Sequence, residues 1–110
     1  MEQILIVMTN LPNAQAAEAL AAAVVEARLA ACVNLLPAVQ SVYRWEDKLQ
    51  WATEVTLLIK TTQRQYVALE AAIHAAHPYE LPEVIALPVT AGLPSYLQWV
   101  VTETTPKHHV

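Results

Sequence analysis

The side chains that could bind a metal ion centre on the segment after the second alanine-rich stretch. His74 and His77 stand three residues apart, a spacing that places both imidazoles on one side of a helix. Glu80 follows closely, and Cys32 is a soft ligand suited to Cu(I). The spacing matches no zinc-finger pattern. Two simpler roles therefore stay open: His74 as a solvated helix residue, and His77 as a helix-end residue that interacts with the last carbonyls.

Cys32 and His77 are also the pair that could supply a nucleophile and its base. A thiolate–imidazolium pair needs the two side chains to meet where a helix end and a strand start come together. Cys32 follows Ala30 and Ala31 and is also explained as a small apolar residue packed at such a junction. The sequence contains no nucleophile elbow, metalloprotease helix motif or zinc-deaminase signature. We therefore expect a protein without enzymatic activity.

The composition excludes several kinds of partner. The 110 residues include one glycine, whereas phosphate-binding and dinucleotide-binding loops need several. Six scattered basic residues and a net charge of −4 argue against nucleic acid. Residues 84–102 are uncharged, but Pro88 and Pro94 would break a helix there, so we expect no membrane span. The N-terminus lacks the features of a secretory signal and Cys32 is the only cysteine, which favours the cytoplasm.

The elements that must position these residues follow from hydrophobic periodicity. An apolar run over residues 4–8 predicts a buried strand, and Asn13 is a suitable N-cap for a helix over residues 14–31. The sequence predicts a long β-hairpin with a polar tip at residues 46–48. Its first strand covers residues 32–45, with a bend or bulge at Pro37, and its second strand is an alternating run from Trp51 onwards.

The second half of the chain repeats the order of helix and strand. We expect Thr62 and Gln65 to form a capping box at the start of a helix. The helix should end at His77, because a residue before proline avoids the α region. Residues 84–87 predict a strand at a sheet edge or with a bulge, and the pattern of residues 96–101 fits a helix or a strand equally.

The order β-α-β-β-α-β predicts an α+β, ferredoxin-like fold, with residues 1–110 as a single domain. Two helices cover one face of an antiparallel sheet, and no third long helix is available for the other face, so we expect oligomerisation. Tyr43, Trp45 and Trp51 surround the hairpin tip. Three large aromatic residues there favour a subunit interface, although packing within one chain is the alternative.

Five segments resemble those of a known family. The chain is similar to the CutA divalent-ion tolerance proteins in Ala30–Asn34, Ser41–Glu46, Lys60–Thr62, His77–Glu83 and Tyr96–Trp99, in order along nearly its whole length. The resemblance implies a ferredoxin-like subunit in a tight homotrimer, related in architecture to the PII signalling proteins, with hairpins that pair between subunits. It also implies a part in tolerance to copper and other divalent metals in bacteria, anchoring of acetylcholinesterase in animals, and no enzymatic activity.

The resemblance assigns roles to individual residues. It implies that His77, in the His-Pro-Tyr motif, is a copper ligand, and it aligns Met8 with a cysteine and Ala76 with a second histidine of other members. Met8 still offers a thioether to Cu(I), so we expect a weak copper site formed by His77 with Cys32 or Met8. Asp47 stands where the family usually has the glycine of the hairpin tip, and aspartate also tolerates left-handed geometry.

Two functions remain as expectations. The first is non-enzymatic tolerance to copper or another divalent metal, in the cytoplasm, by a homotrimer. The alternative is a PII-like sensor or scaffold that binds a small molecule or a protein between subunits, near Lys60, Tyr79 and Glu80. His108 and His109 are candidates for adventitious metal binding only.

Overall fold

The computed structural model describes residues 2–106 of the chain. The elements in order are β1 (Ile4–Leu11), α1 (Ala14–Glu26), β2 (Cys32–Trp45), β3 (Lys48–Thr62), α2 (Tyr66–Ala76), β4 (Ile85–Pro88) and α3 (Pro94–Glu103). The strands form one antiparallel sheet in the order β2-β3-β1-β4. The predicted α+β fold is confirmed, and β4 lies at an edge of the sheet as expected.

One face of the sheet, here called the inner face, packs against α1 and α2. Alternate residues of each strand point to the same face, so the apolar residues at every second position of β1 and β3 enter a single core. This core contains Leu5, Val7, Leu11, Leu57 and Ile59 of the sheet with Leu20, Val24, Leu69 and Ile73 of the two helices. The inner face of the sheet is therefore buried within the single chain.

The opposite or outer face is only partly covered by the chain. Helix α3 lies at one end of it, where Val100 packs against Ile4 and Ala31. The undecided segment is thus a helix, and Pro94 occupies its first turn, where a missing N–H costs nothing. Away from α3, Ile85 and Leu87 of β4 remain about half exposed.

Beyond Val55 the two long strands pair only with each other, and residues 39–54 form a projecting hairpin arm. The arm begins at a bulge after Pro37, where Ala38 has a φ of 59°, so the predicted bulge is confirmed. Glu46 and Asp47 form the tip with φ values of 52° and 63°. Two residues with positive φ define the turn whose twist suits a tight hairpin, and aspartate is tolerated there as expected.

Helix α1 is shorter than predicted. Asn13 caps it, since its Oδ1 accepts a hydrogen bond of 2.8 Å from the Ala16 amide, but the helix ends at Glu26 rather than Ala31. Arg28 adopts a left-handed φ of 61°, and the Leu29 amide donates to the Val24 carbonyl. These are the features of a Schellman motif, which usually carries glycine at the left-handed position. The alanine-rich run therefore continues past the helix without a recognisable stop.

The predicted capping box is wrong. The Thr62 hydroxyl makes no capping hydrogen bond, and a short 3₁₀ helix over Gln63–Gln65 precedes α2. Gln65 instead donates through Nε2 to the Thr104 carbonyl at 2.7 Å, which ties the start of α2 to the end of α3. Strand β1 is longer than predicted. It extends to Leu11, three residues further, because it continues to pair with β3.

No helix in residues 2–106 combines the length and the apolar character that crossing a membrane requires.

Candidate functional site

His77 lies at the corner where the chain leaves α2. It has extended backbone angles, as expected for a residue before proline, and it ends the helix. Its Nε2 lies 2.8 Å from the Asn10 carbonyl oxygen, and the Tyr79 amide donates to its Nδ1 at 3.2 Å. Because Nδ1 accepts a hydrogen bond, the neutral ring carries its proton on Nε2 and donates it to Asn10. Both ring nitrogens are therefore engaged within the chain.

The electrostatics of His77 agree with this neutral tautomer. Burial lowers the pKa of His77 below the ordinary value of 6.5, an effect that the Asn10 carbonyl and the Glu54 charge oppose and that His74 adds to. Its ring also contacts that of Tyr79, with centroids 4.8 Å apart. His77 thus acts in the structure as a buried, neutral link between the end of α2 and β1.

A hydrogen-bond network extends from this corner across the sheet. The Tyr79 hydroxyl donates to Glu54 Oε2 at 2.7 Å, and the Thr56 hydroxyl donates to Asn10 Oδ1 at 2.6 Å. Asn10 in turn donates through Nδ2 to Glu83 Oε1 at 3.3 Å. Burial, followed by the hydrogen bond to Glu54, raises the pKa of Tyr79. These bonds attach the segment after α2 to both β1 and β3.

The network borders a cleft, here called the arm cleft. It lies between the hairpin arm and residues 78–83 and has a volume of about 1080 Å³. Its lining contains the aromatic residues Tyr43, Trp45 and Tyr79 and the carboxylates Glu54, Glu80 and Glu83, together with Asn10 and Arg44. Of the residues proposed from sequence for a small-molecule site, Tyr79 and Glu80 therefore share one cleft.

Cys32 lies elsewhere, on the outer face near α3. It is a half-buried free thiol, and the Lys60 Nζ lies 3.9 Å from its Sγ and also donates to Asn34 Oδ1. Burial raises the pKa of Tyr96 in α3, and the neighbouring Cys32 raises it further. Lys60, the third residue proposed for a small-molecule site, therefore belongs to the surroundings of Cys32 and does not line the arm cleft.

The structure does not bring His77, Cys32 and Met8 together. Cys32 pairs with Lys60, which pairs with Ile6, so Cys32 and β1 are two strand spacings or about 10 Å apart. Met8 occupies the middle of β1 on the same outer face, whereas His77 contacts its far end. Consistent with this separation, residues 2–106 contain no cluster of three His, Cys, Asp or Glu side chains that could hold a metal ion.

The same register separates the Cys32–His77 pair considered for catalysis. Cys32 lies level with Ile6 and His77 contacts Asn10, four residues and roughly 13 Å further along β1. His74 is exposed on α2, and His108 and His109 lie outside the described residues. Sequence reasoning missed Asn10 and Glu54, which no motif marks; their alternation with core residues in β1 and β3 was the only available signal.

Comparisons with known proteins agree on one family. A profile of the CutA1 divalent ion tolerance proteins matches residues 5–103. The chain is 44% identical to the chloroplastic CutA protein of Arabidopsis thaliana over 91% of its own length and 55% of that protein. It is 40% identical to the divalent-cation tolerance protein CutA of Thermus thermophilus, covering 90% of this chain and 96% of that one.

The fold gives the same result. The crystal structure of CutA from Xylella fastidiosa superposes with a TM-score of 0.91 and 41% identity, covering 93% of this chain and 98% of the other. The chain spans about half the length of the plant and mammalian relatives that it matches, which carry additional sequence. With a profile match over nearly the whole chain and close structural agreement, the chain belongs to the CutA1 family of divalent ion tolerance proteins.

Proposed function

We propose that the chain is a non-catalytic protein of copper tolerance that works as a homotrimer in the cytoplasm, with residues 1–110 as its single domain. The observation that carries the proposal is the uncovered apolar surface of a chain in this family. Ile85 and Leu87 are 49% and 48% exposed on the outer face, and Trp51 on the arm is 70% exposed. Apolar surface of this kind is typical of subunit interfaces.

Neighbouring subunits would cover both regions in the proposed trimer. The outer edge of β2 and the whole hairpin arm have backbone groups free to pair with another strand. Pairing of arms between subunits would extend each sheet, and the neighbouring subunits would cover Trp45 and Trp51 on the two opposite faces of the arm. The cytoplasm is the compartment that we propose for this chain. Relatives differ in this respect, since the Arabidopsis relative is described as chloroplastic.

The proposed copper ligands are Cys32, Met8 and His77. Cys32 and Met8 offer two sulfur atoms on the outer face, which suits Cu(I). Because they are far apart within one chain, a shared site needs groups from more than one subunit. His77 can bind a metal only after one of its two hydrogen bonds is broken, since both ring nitrogens are engaged. Each of these features makes the proposed site weak.

Titration of the assembled protein with Cu(I) and Cu(II) tests this proposal. We expect Cys32→Ser to lower the Cu(I) affinity, because serine lacks the soft sulfur ligand, and His77→Gln to lower the Cu(II) affinity. His74→Gln is the matched control, since His74 is an exposed imidazole on the same helix. Equal Cu(II) affinities in the wild type and His77→Gln would exclude His77 as a ligand. Equal Cu(I) affinities in the wild type and Cys32→Ser would exclude Cys32.

The arm cleft supports a second candidate function, a PII-like sensor that binds a small molecule. Its volume of about 1080 Å³ is at the upper end of ligand pockets, and its lining combines aromatic and charged groups. A thermal-shift screen of metals and metabolites separates the two candidates, because a ligand that binds only the folded state raises the melting temperature. Stabilisation by a metabolite and by no metal would favour the sensor.

A further inference from the structure

The two hydrogen bonds of the His77 ring differ in what they mean for metal binding. The Nε2 atom donates to the Asn10 carbonyl oxygen at 2.8 Å, and Nδ1 accepts from the Tyr79 amide at 3.2 Å. An imidazole that binds a metal through one nitrogen normally donates its other N–H to a carbonyl or a carboxylate. His77 already has that arrangement at Nε2. Nδ1 is therefore the nitrogen suited to a metal, and the Tyr79 amide occupies it.

The side chain of Tyr79 holds this amide in place. Its ring contacts the His77 ring, with centroids 4.8 Å apart, and its hydroxyl donates to Glu54 Oε2 at 2.7 Å. Glu54 belongs to β3 and is only 7% exposed, so this bond fastens the segment after α2 to the sheet. Hydrogen bonds to a carboxylate are stronger than those between neutral groups. The amide can leave Nδ1 only if the backbone at Tyr79 moves, and the bond to Glu54 opposes that movement.

We propose that residues 78–83 form an autoinhibitory segment, in which the hydrogen bond between Tyr79 and Glu54 keeps the Tyr79 amide on Nδ1 of His77. When the segment moves away, His77 binds a divalent metal through Nδ1 and keeps its Nε2 bond to Asn10. The apparent metal affinity is then the affinity of the open form multiplied by the fraction of open molecules. This inference rests on the proposed function, since it takes His77 as a metal ligand, and it names the contact that regulates that ligand.

Titration of the assembled, chelator-treated protein with Cu(II) tests the inference, with Tyr79→Phe as the variant. This substitution removes the hydroxyl and keeps the ring and the backbone amide. We expect it to raise the Cu(II) affinity by about tenfold, because the closed form loses one hydrogen bond to a charged group. The gain should disappear in the double variant that combines Tyr79→Phe with His77→Gln. Tyr66→Phe is the matched control and should leave the affinity unchanged, since the Tyr66 hydroxyl donates to the exposed Glu70 at 2.8 Å.

Amide hydrogen exchange in the absence of metal measures the opening of the segment by itself. In Tyr79→Phe, the backbone amide at position 79 should exchange about tenfold faster than in the wild type, because the open form becomes more populated. In Tyr66→Phe, the same amide should exchange at the wild-type rate. This measurement does not depend on which residues bind copper.

The outcomes separate this inference from the proposed function. Equal Cu(II) affinities in the wild type and His77→Gln would exclude His77 as a ligand and reject the inference with it. A lower affinity in His77→Gln, together with an equal or lower affinity in Tyr79→Phe, would keep His77 as a ligand and overturn the inference alone. Exchange at the wild-type rate at position 79 in Tyr79→Phe would also overturn it, because the bond to Glu54 would then not hold the segment closed.

Discussion

The two faces of the sheet contain similar side chains in different surroundings. On the inner face, Leu57 is completely buried against α1 and α2. On the outer face, Leu87 is 48% exposed, although it belongs to the same sheet. The difference shows that the chain completes one core by itself and leaves a second apolar surface exposed. If the proposed assembly forms through that surface, the stability of the fold and the assembly depend on different residues.

Matched leucine substitutions on the two faces should have different consequences. Leu57→Ala leaves a cavity in the core and should lower the free energy of unfolding by about 3 kcal/mol. Leu87→Ala should cost less than about 1 kcal/mol in the isolated chain and should act mainly by weakening association. Urea unfolding at a low and a high protein concentration measures both effects.

The dependence of the unfolding free energy on protein concentration distinguishes the two leucine substitutions. The loss caused by Leu57→Ala should be the same at both concentrations, whereas the loss caused by Leu87→Ala should change with concentration because association stabilises the folded chain. A loss for Leu87→Ala that equals the loss for Leu57→Ala at both concentrations would contradict the distinction between the faces.

The corner around His77 is buried, unlike the outer face, and its stability should respond to pH. Because burial lowers the pKa of His77 in the folded chain, the unfolded chain binds more protons than the folded chain below pH 6.5. The stability that neutral His77 contributes is therefore complete above pH 6.5 and is lost as the pH falls through the pKa of the folded state. Urea midpoints between pH 7.5 and 5 should show this loss.

The loss should be smaller in His77→Gln, which has no imidazole to protonate. His74→Gln is the comparison variant: His74 is exposed on α2 and its charge adds only a minor part to the lowered pKa of His77, so this variant should keep most of the loss. An identical pH dependence in the wild type and His77→Gln would show that His77 is not the group responsible. This effect is the smaller of the two, since it changes one hydrogen-bonded corner and leaves the core intact.

Much of the fold could be predicted from alternation and from proline. The hairpin strands alternate over a long stretch, Pro37 marked the bulge, and Pro78 marked the end of α2 at His77. Each of these signals is local, because it depends on the backbone of the residue itself or its neighbour. Signals of this kind are readable without knowing which elements pack together.

The errors arose where a tertiary contact overrode a local signal or where the local signal was missing. Gln65 pairs with the Thr104 carbonyl instead of capping its own helix, a choice that depends on where α3 lies. Helix α1 ends at Glu26 and is followed by a left-handed Arg28, a position where glycine would have indicated the end of the helix. In both cases the residue types permit the observed structure but do not require it.

The site was less predictable than the fold. The His-Pro-Tyr segment was found, but its partners Asn10 and Glu54 carry no motif and are brought to it only by the strand register. That register also separates Cys32 from Met8 and His77. Ligand types in a sequence indicate which chemistry is available, whereas their distances follow from sheet pairing.

In the proposed trimer, other copies of the chain cover the outer face and the hairpin arm. Sedimentation equilibrium of the purified wild-type protein at micromolar concentration measures this assembly. We expect a single species with about three times the 12.1 kDa mass of one chain. A species of 12.1 kDa at every concentration measured would contradict it.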